Sequence, residues 1–265
     1  MSRVLVVSAF VFLAACSQEA PEQQTPLDPA AAPASYIIEA VNDRGRPEAD
    51  LVRDAGRHPA EMLAFAGVQP GWRVADLGAG SGYYSRILST AVGSDGEVIA
   101  ENMDWIVDRF PAADDAITAF AEERDNVTRL VSPIAGILDG YDSELDAAFM
   151  VLIYHDQAWQ QDGFHTPTRE DRLAMNRSIY DALRPGGVFL VVDHHAIEGA
   201  ADTDVDAYHR IEEAFVREEV EIAGFVLEAT SDLLANPEDP RDISVFDETI
   251  RGQTDRFVLL FRKPD

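Results

Sequence analysis

Glycine stands at every second position of Gly78-Ala79-Gly80-Ser81-Gly82, with Asp76 just before the run and Tyr83 just after it. A residue without Cβ tolerates dihedrals that others resist and lets a ligand lie almost against the backbone. The stretch therefore has the character of a bare cradle. Other groups able to do chemistry close apolar runs: Glu101 ends 97–101, Ser132 ends 126–132, His155 and Asp156 follow 145–154, and Asp193, His194 and His195 follow 188–192. A histidine titrates near neutrality and suits general-base work, so His155, His194 and His195 are candidate catalytic residues. Each of them also has a bland reading as a hydrogen-bonded wall residue. Asp156 and Asp193, beside these histidines, have the donor types that hold a divalent cation, the minority reading of the same groups.

These groups need elements to position them. Arg73–Leu77 reads as a short buried strand and Tyr83–Val92 as a helix with Ile87, Leu88 and Ala91 toward the core, stopped by Gly93. Ahead of them, residues 46–67 read as helical cover with Pro59 at a first helical position, and Arg53, Asp54 and Arg57 as a charged face or as closure for a pocket. Residues 103–123 read as helix interrupted at Pro111, and 126–132 as a third strand. The near-continuous apolar run 145–154 fits a central parallel strand covered on both faces. Residues 157–169, with Trp159, Phe164 and His165, suit a lid over a small aromatic or apolar ligand, or an ordinary surface loop. A helix at 169–183, a turn at 184–187 and a fifth strand follow. Residues 205–223 read as one cover helix with Tyr208, Ile211, Phe215 and Ile222 on one face. The last two strands are 224–230 and 256–262, and the long connection between them suits a wall of the site. Strands alternating with helices make a doubly wound α/β sheet of seven strands, whose ligands lie beyond the carboxyl ends of the strands.

The order strand, Asp76, Gly78, Gly80, Gly82, helix resembles the first motif of class I S-adenosylmethionine-dependent methyltransferases. A dinucleotide fold spaces its last glycine differently. The resemblance implies a Rossmann-like sheet in the order 3-2-1-4-5-7-6 with the last strand antiparallel, and S-adenosylmethionine as cofactor. It implies cofactor contacts from Asp76, Gly78, Ala79, Gly80, Gly82 and Tyr83, with Glu101 accepting from the ribose hydroxyls. Where many members carry an acid after the third strand for the adenine amino group, this chain has Ser132 and Pro133, so Ser132 or the Ile134 backbone stands in. From about Ala49 to Phe261 the chain is similar to a bacterial group of predicted methyltransferases, through residues 57–61, the glycine run, Tyr154-His155-Asp156, His209-Arg210-Ile211 and residues 250–257. The activity expected is methyl transfer to a small molecule, at a hydroxyl oxygen. The rival is a binding module that keeps the fold without methyl transfer.

Composition bounds the partners. The chain has 265 residues, 46% of them hydrophobic, and 48 acids against 21 basic residues give a net charge of −27. Such a charge repels nucleic acid and anionic lipid at long range, which removes nucleic acid as the expected partner. Met1-Ser2-Arg3, the apolar run 4–12 and Leu13-Ala14-Ala15-Cys16 resemble a bacterial lipoprotein leader. The expected organisation is a leader at 1–15, a Pro- and Ala-rich tether at 16–40 and one catalytic domain at 41–265. The protein would then sit in the cell envelope, anchored by a lipid on Cys16. That cysteine is the sole one, so no intramolecular disulfide forms.

Overall fold

A computed structural model describes residues 32–160, 165–200 and 202–265. The expected leader, Cys16, most of the tether and Phe164 lie outside these residues. Four short helices come first: α1 (Ser35–Val41), α2 (Glu48–Leu51), α3 (Asp54–Arg57) and α4 (Pro59–Phe65). Then follow β1 (Arg73–Leu77), α5 (Tyr83–Val92), β2 (Glu97–Met103), α6 (Asp104–Arg109), α7 (Pro111–Glu122), β3 (Val127–Ser132) and β4 (Leu145–Val151). The chain ends with α8 (Arg169–Ala182), β5 (Leu183–His194), α9 (Asp202–Tyr208), α10 (Glu213–Ile222), β6 (Val226–Thr230) and β7 (Arg256–Arg262).

The sheet runs β3-β2-β1-β4-β5-β7-β6. β1 to β5 are parallel to one another, and β7 is antiparallel to both β5 and β6. Strand alternation divides the core in two. Val74, Val98, Phe149, Leu190 and Leu260 face α1, α4 and α5 on one side, while Leu77, Ile99, Met150, Val191 and Phe261 face α8 and α10 on the other. Each such large side chain taken fully from water contributes about 1.5–3 kcal/mol, so both layers are needed to hold the strand ends in register. Among the described residues no helix is long and apolar enough to cross a membrane.

Three local expectations need correction. The tether was expected to run to residue 40, but α1 begins at Ser35 and buries Ile37 and Ala40 against the core. Residues 184–187 are not a free turn. They lie inside β5, where the pairing with β4 shifts register between Leu145 and Ala147 and Gly186 takes φ +74°. The single cover helix at 205–223 is two helices. His209 takes φ +53° and Ile211 makes a parallel bridge to His195, so the chain breaks between α9 and α10 and Ile222 is left exposed.

Candidate functional site

The three alternating glycines all adopt left-handed backbone, φ +62° at Gly78, +58° at Gly80 and +89° at Gly82. Their reasons differ. A Cβ on Gly78 would stand 2.8 Å from Ile153, and one on Gly82 2.5 Å from Ile117, so both are glycine because the protein packs against them. A Cβ on Gly80 would meet nothing within 4 Å. Its bareness serves open space, which is what a ligand floor requires. Gly80 is held from below by Asn102, whose Oδ1 accepts from Gly80 N at 2.7 Å while Nδ2 donates to Gly80 O at 3.0 Å. The sequence reading missed Asn102, because it ended the second strand at Glu101 and the ladder runs on to Met103. The available signal was an amide, with both donor and acceptor, next to the acid.

The acids flanking the floor are already engaged. Asp76 accepts from Ser85 Oγ at 2.5 Å, which pins the start of α5 to the end of β1, and burial raises its carboxyl to about 6. Ala79 N–H donates to the Glu101 carbonyl at 2.8 Å, tying the loop to β2. The Glu101 carboxylate is fully buried and accepts from Gly78 N at 3.1 Å and Ser132 Oγ at 2.7 Å. Burial pushes it up to about 8, against those two donors. Ser132 is thus a partner of Glu101. Tyr83 does not turn to the loop: its hydroxyl donates to Asp54 at 2.6 Å and its ring lies beneath the guanidinium groups of Arg53 and Arg57. Its side chain serves as a post for α3, which leaves its backbone at the start of α5 as the part nearest the glycine run.

The three histidines separate. His155 donates from Nδ1 to Asp193 Oδ1 at 2.7 Å, and its Nε2 lies 3.2 Å from Asp156 Oδ1. Burial alone would favour the neutral ring, but the two carboxylates outweigh it and raise His155 to about 10. An imidazolium with both nitrogens on carboxylates has no lone pair for a proton, so His155 is a positioning group and not the base. His194 is buried and its ring centroid lies 5.6 Å from that of His155. Burial first, then the nearby charges of His155, Arg256 and Arg210, hold it well below its ordinary value. It is neutral at pH 7, with Nδ1 sharing a 2.7 Å hydrogen bond with Thr254 Oγ1. His195 points elsewhere, 3.4 Å from Asp255 and edge-on to Phe257, so the structure does not bring it to the other two.

Asp193 and Asp156 do not converge as a cation pair. Asp193 is fully buried and accepts from His155 N, His155 Nδ1 and His194 N, each at 2.7 Å. The donor atoms that do converge belong to His155, Asp156 and His209, all within 4.8 Å of one another. His209 Nδ1 donates to Asp156 Oδ1 at 3.0 Å, and these hydrogen bonds satisfy the cluster by themselves.

Beyond the ends of β4 and β5 lies a cleft of about 760 Å³, a size that suits a small molecule. His194, Arg57 and Arg256 line it together with Leu152, whose φ of +59° is strained for a non-glycine residue. Val245, Phe246 and Gln253 show that the long β6–β7 connection does form one wall. A bidentate pair, Arg210 with Asp239 at 2.8 and 3.0 Å, is buried there and anchors the connection to α9 and β5. The described part of the 157–169 loop packs down: Trp159 lies against His209 and His165, and His165 against Trp105.

Comparison with known proteins agrees with this architecture. A family model of protein-L-isoaspartate(D-aspartate) O-methyltransferase matches residues 54–125, from α3 past α7, with the glycine floor inside it. No curated protein matches the sequence. A SAM-dependent methyltransferase from Aquifex aeolicus superposes with a TM-score of 0.52 at 19% identity, covering 76% of this chain and 87% of that one. A putative sarcosine dimethylglycine methyltransferase from Galdieria sulphuraria gives 0.55 at 17% identity over 80% and 86%. The [4+2]-cyclase SpnF gives 0.52 at 17% identity over 86% and 91%. The fold is that of the class I S-adenosylmethionine-dependent methyltransferases.

Proposed function

We propose that the protein is an S-adenosylmethionine-dependent methyltransferase acting on a small molecule at a hydroxyl oxygen. The observation that carries the reading is Gly80, a left-handed glycine whose missing side chain opens onto space and whose peptide is clamped by Asn102. The residues that would hold the cofactor are Gly78 to Gly82, Asn102 and Glu101, and when bound it supplies an activated methyl group. The chain's own work is alignment of the acceptor and removal of its proton. His194 fits the second task. In the tautomer that donates Nδ1–H to Thr254, a hydroxyl that also accepts from Arg256 Nε at 2.9 Å, Nε2 of the cleft-lining His194 keeps its lone pair. Replacing His194 by Gln is expected to lower kcat by about 10²–10⁴-fold while cofactor affinity stays within about twofold. Equal losses in both would show a structural role.

Calorimetry on the full chain tests the reading: micromolar binding of S-adenosylmethionine is expected, and none at millimolar concentration would overturn it. Glu101 makes the binding pH-dependent. Its carboxyl rests near 8 without ligand, and the ribose hydroxyls are donors that favour the ionised form. Affinity should therefore climb from pH 6 toward pH 8 and then level. Glu101→Gln removes that slope and weakens binding about 10- to 100-fold at pH 8, the loss of charge-assisted hydrogen bonds of about 1.5–3 kcal/mol. A pH-independent affinity in the wild type would take Glu101 out of the cofactor site.

The second reading, a binding module without methyl transfer, draws on the cyclase neighbour, since that protein bears another activity on a similar sheet. Cofactor binding without turnover of any acceptor would favour it. Export and lipid attachment at Cys16 belong to the same proposal, and lipid labelling of Cys16 tests them.

A further inference from the structure

In a chain with 48 acids, no Asp or Glu lines the cleft beyond β4 and β5, while four arginines do. Only Arg53 of the four makes an ion pair among the described residues, with Asp50. Arg57 and Arg256, the two less exposed of the rest, make none, although Asp76 acts at a distance on Arg57 and Asp193 and Asp239 on Arg256. Arg57 makes no side-chain hydrogen bond or ion pair among the described residues, and its guanidinium lies over the Tyr83 ring, 4.6 Å from the centroid. Arg256 is 5% exposed and spends its hydrogen bonds on neutral groups, Thr254 Oγ1 at 2.9 Å and Gly56 O at 2.6 Å. Burial and then repulsion from Arg57 lower the Arg256 guanidinium to about 10, so neither cation is at ease in the empty cleft. A third observation concerns a neighbour of these two arginines that does not itself line the cleft. The Tyr84 hydroxyl is buried with no hydrogen-bond partner, and it lies within the electrostatic reach of both Arg57 and Arg256. Two guanidinium groups without an ion pair lining one cavity beside the candidate base His194, with an orphaned hydroxyl in their electrostatic reach, are the complement of an anion.

We propose that Arg57, Arg256 and Tyr84 form an anion subsite that receives a carboxylate or phosphate group of the methyl acceptor. The substrate class is thus an anionic small molecule bearing a hydroxyl. This rests on the methyltransferase reading for the word acceptor, but not for the anion site itself. The subsite is built from α3, α5 and β7, outside the Gly78–Gly82 floor. Its cost to the free protein is the repulsion between like charges, which a bound anion removes.

The test uses benzoate and inorganic phosphate as probes on the full chain, read by calorimetry and by the shift in Tm with probe concentration. The wild type is expected to bind at least one probe at millimolar concentration or tighter, with Tm rising accordingly. Arg57→Gln should weaken that binding tenfold or more and leave Tm without probe equal or higher, since it deletes a partly buried cation that makes no ion pair. Arg256→Lys, which keeps the charge but not the fork, serves as the second variant and should weaken binding as well. Arg217→Gln, on an exposed i,i+4 pair, should change nothing. Unchanged affinity in both cleft variants overturns the proposal. So does displacement of the probe by saturating S-adenosylhomocysteine, which would assign the cations to the cofactor's own carboxylate. Probe binding that depends on Arg57 in a protein that binds no cofactor would leave the anion subsite standing while removing the methyltransferase reading.

Discussion

Gly80→Arg is expected to fold and to lose S-adenosylmethionine binding to below detection at millimolar cofactor. At φ +58° a side chain costs about 1–2 kcal/mol of backbone strain, and no protein atom lies within 4 Å of its Cβ position. The long side chain can therefore leave through the space that the cofactor would fill. Circular dichroism and a Tm within about 10 °C of the wild type should accompany the loss. The neighbouring glycines supply the contrast. Gly82→Ala drives a methyl to 2.5 Å from Ile117 and Gly78→Ala to 2.8 Å from Ile153, so these two should lose stability first and affinity only with it. Wild-type affinity in Gly80→Arg would show that the glycine run is not the floor of the site.

Asp193→Asn should have the largest effect on stability, about 3–5 kcal/mol by denaturant unfolding, because it strips a buried cation of its buried partner. The carboxylate takes three hydrogen bonds at 2.7 Å and is fully buried, so an amide in its place must turn a donor toward donors. The same network sets a pH dependence. His155 is raised to about 10 in the fold from 6.5. Its contribution is fully present below the unfolded value, shrinks as pH rises above about 6.5 and is gone above about 10. Asp156 is held well below the usual carboxylate range, where the charges of His155 and His209 outweigh burial, so its contribution is present above 3.8 and fades in acid. The wild type should therefore lose stability from pH 7 to pH 10, and Asp193→Asn should lose less over that interval. A flat wild-type profile would mean that His155 is neutral, returning it to the list of bases.

Legibility followed the range of the interactions. The strand Arg73–Leu77, the helix Tyr83–Val92 and the strand Arg256–Arg262 match the sequence reading residue for residue, because alternation, helical spacing and glycine stops are written within a few positions of each other. The strand order came from family resemblance, since periodicity says nothing of neighbours. The site was half legible. The glycines and the polar strand ends could be named, but how His155 and His194 differ depends on Asp193 and Thr254, 38 and 60 residues away from them. The side-chain partner of Tyr83 was hidden for the same reason: Asp54 is 29 residues back. Helices α9 and α10 were merged because Ile211 sits at helical spacing, while its actual partner is a strand end.

The bond from Arg256 to the Gly56 carbonyl joins positions 200 residues apart, and Gly56 passes so close to Gly252 that a Cβ there would stand 2.7 Å from its carbonyl oxygen. A chain emerging from the ribosome can shape the glycine floor once β2 has formed, but the cleft beyond β4 and β5 stays unbuilt until the final strand threads between β5 and β6. Synthesis would thus complete the glycine floor well before the cleft beside it, so the two parts of the site mature in a fixed order.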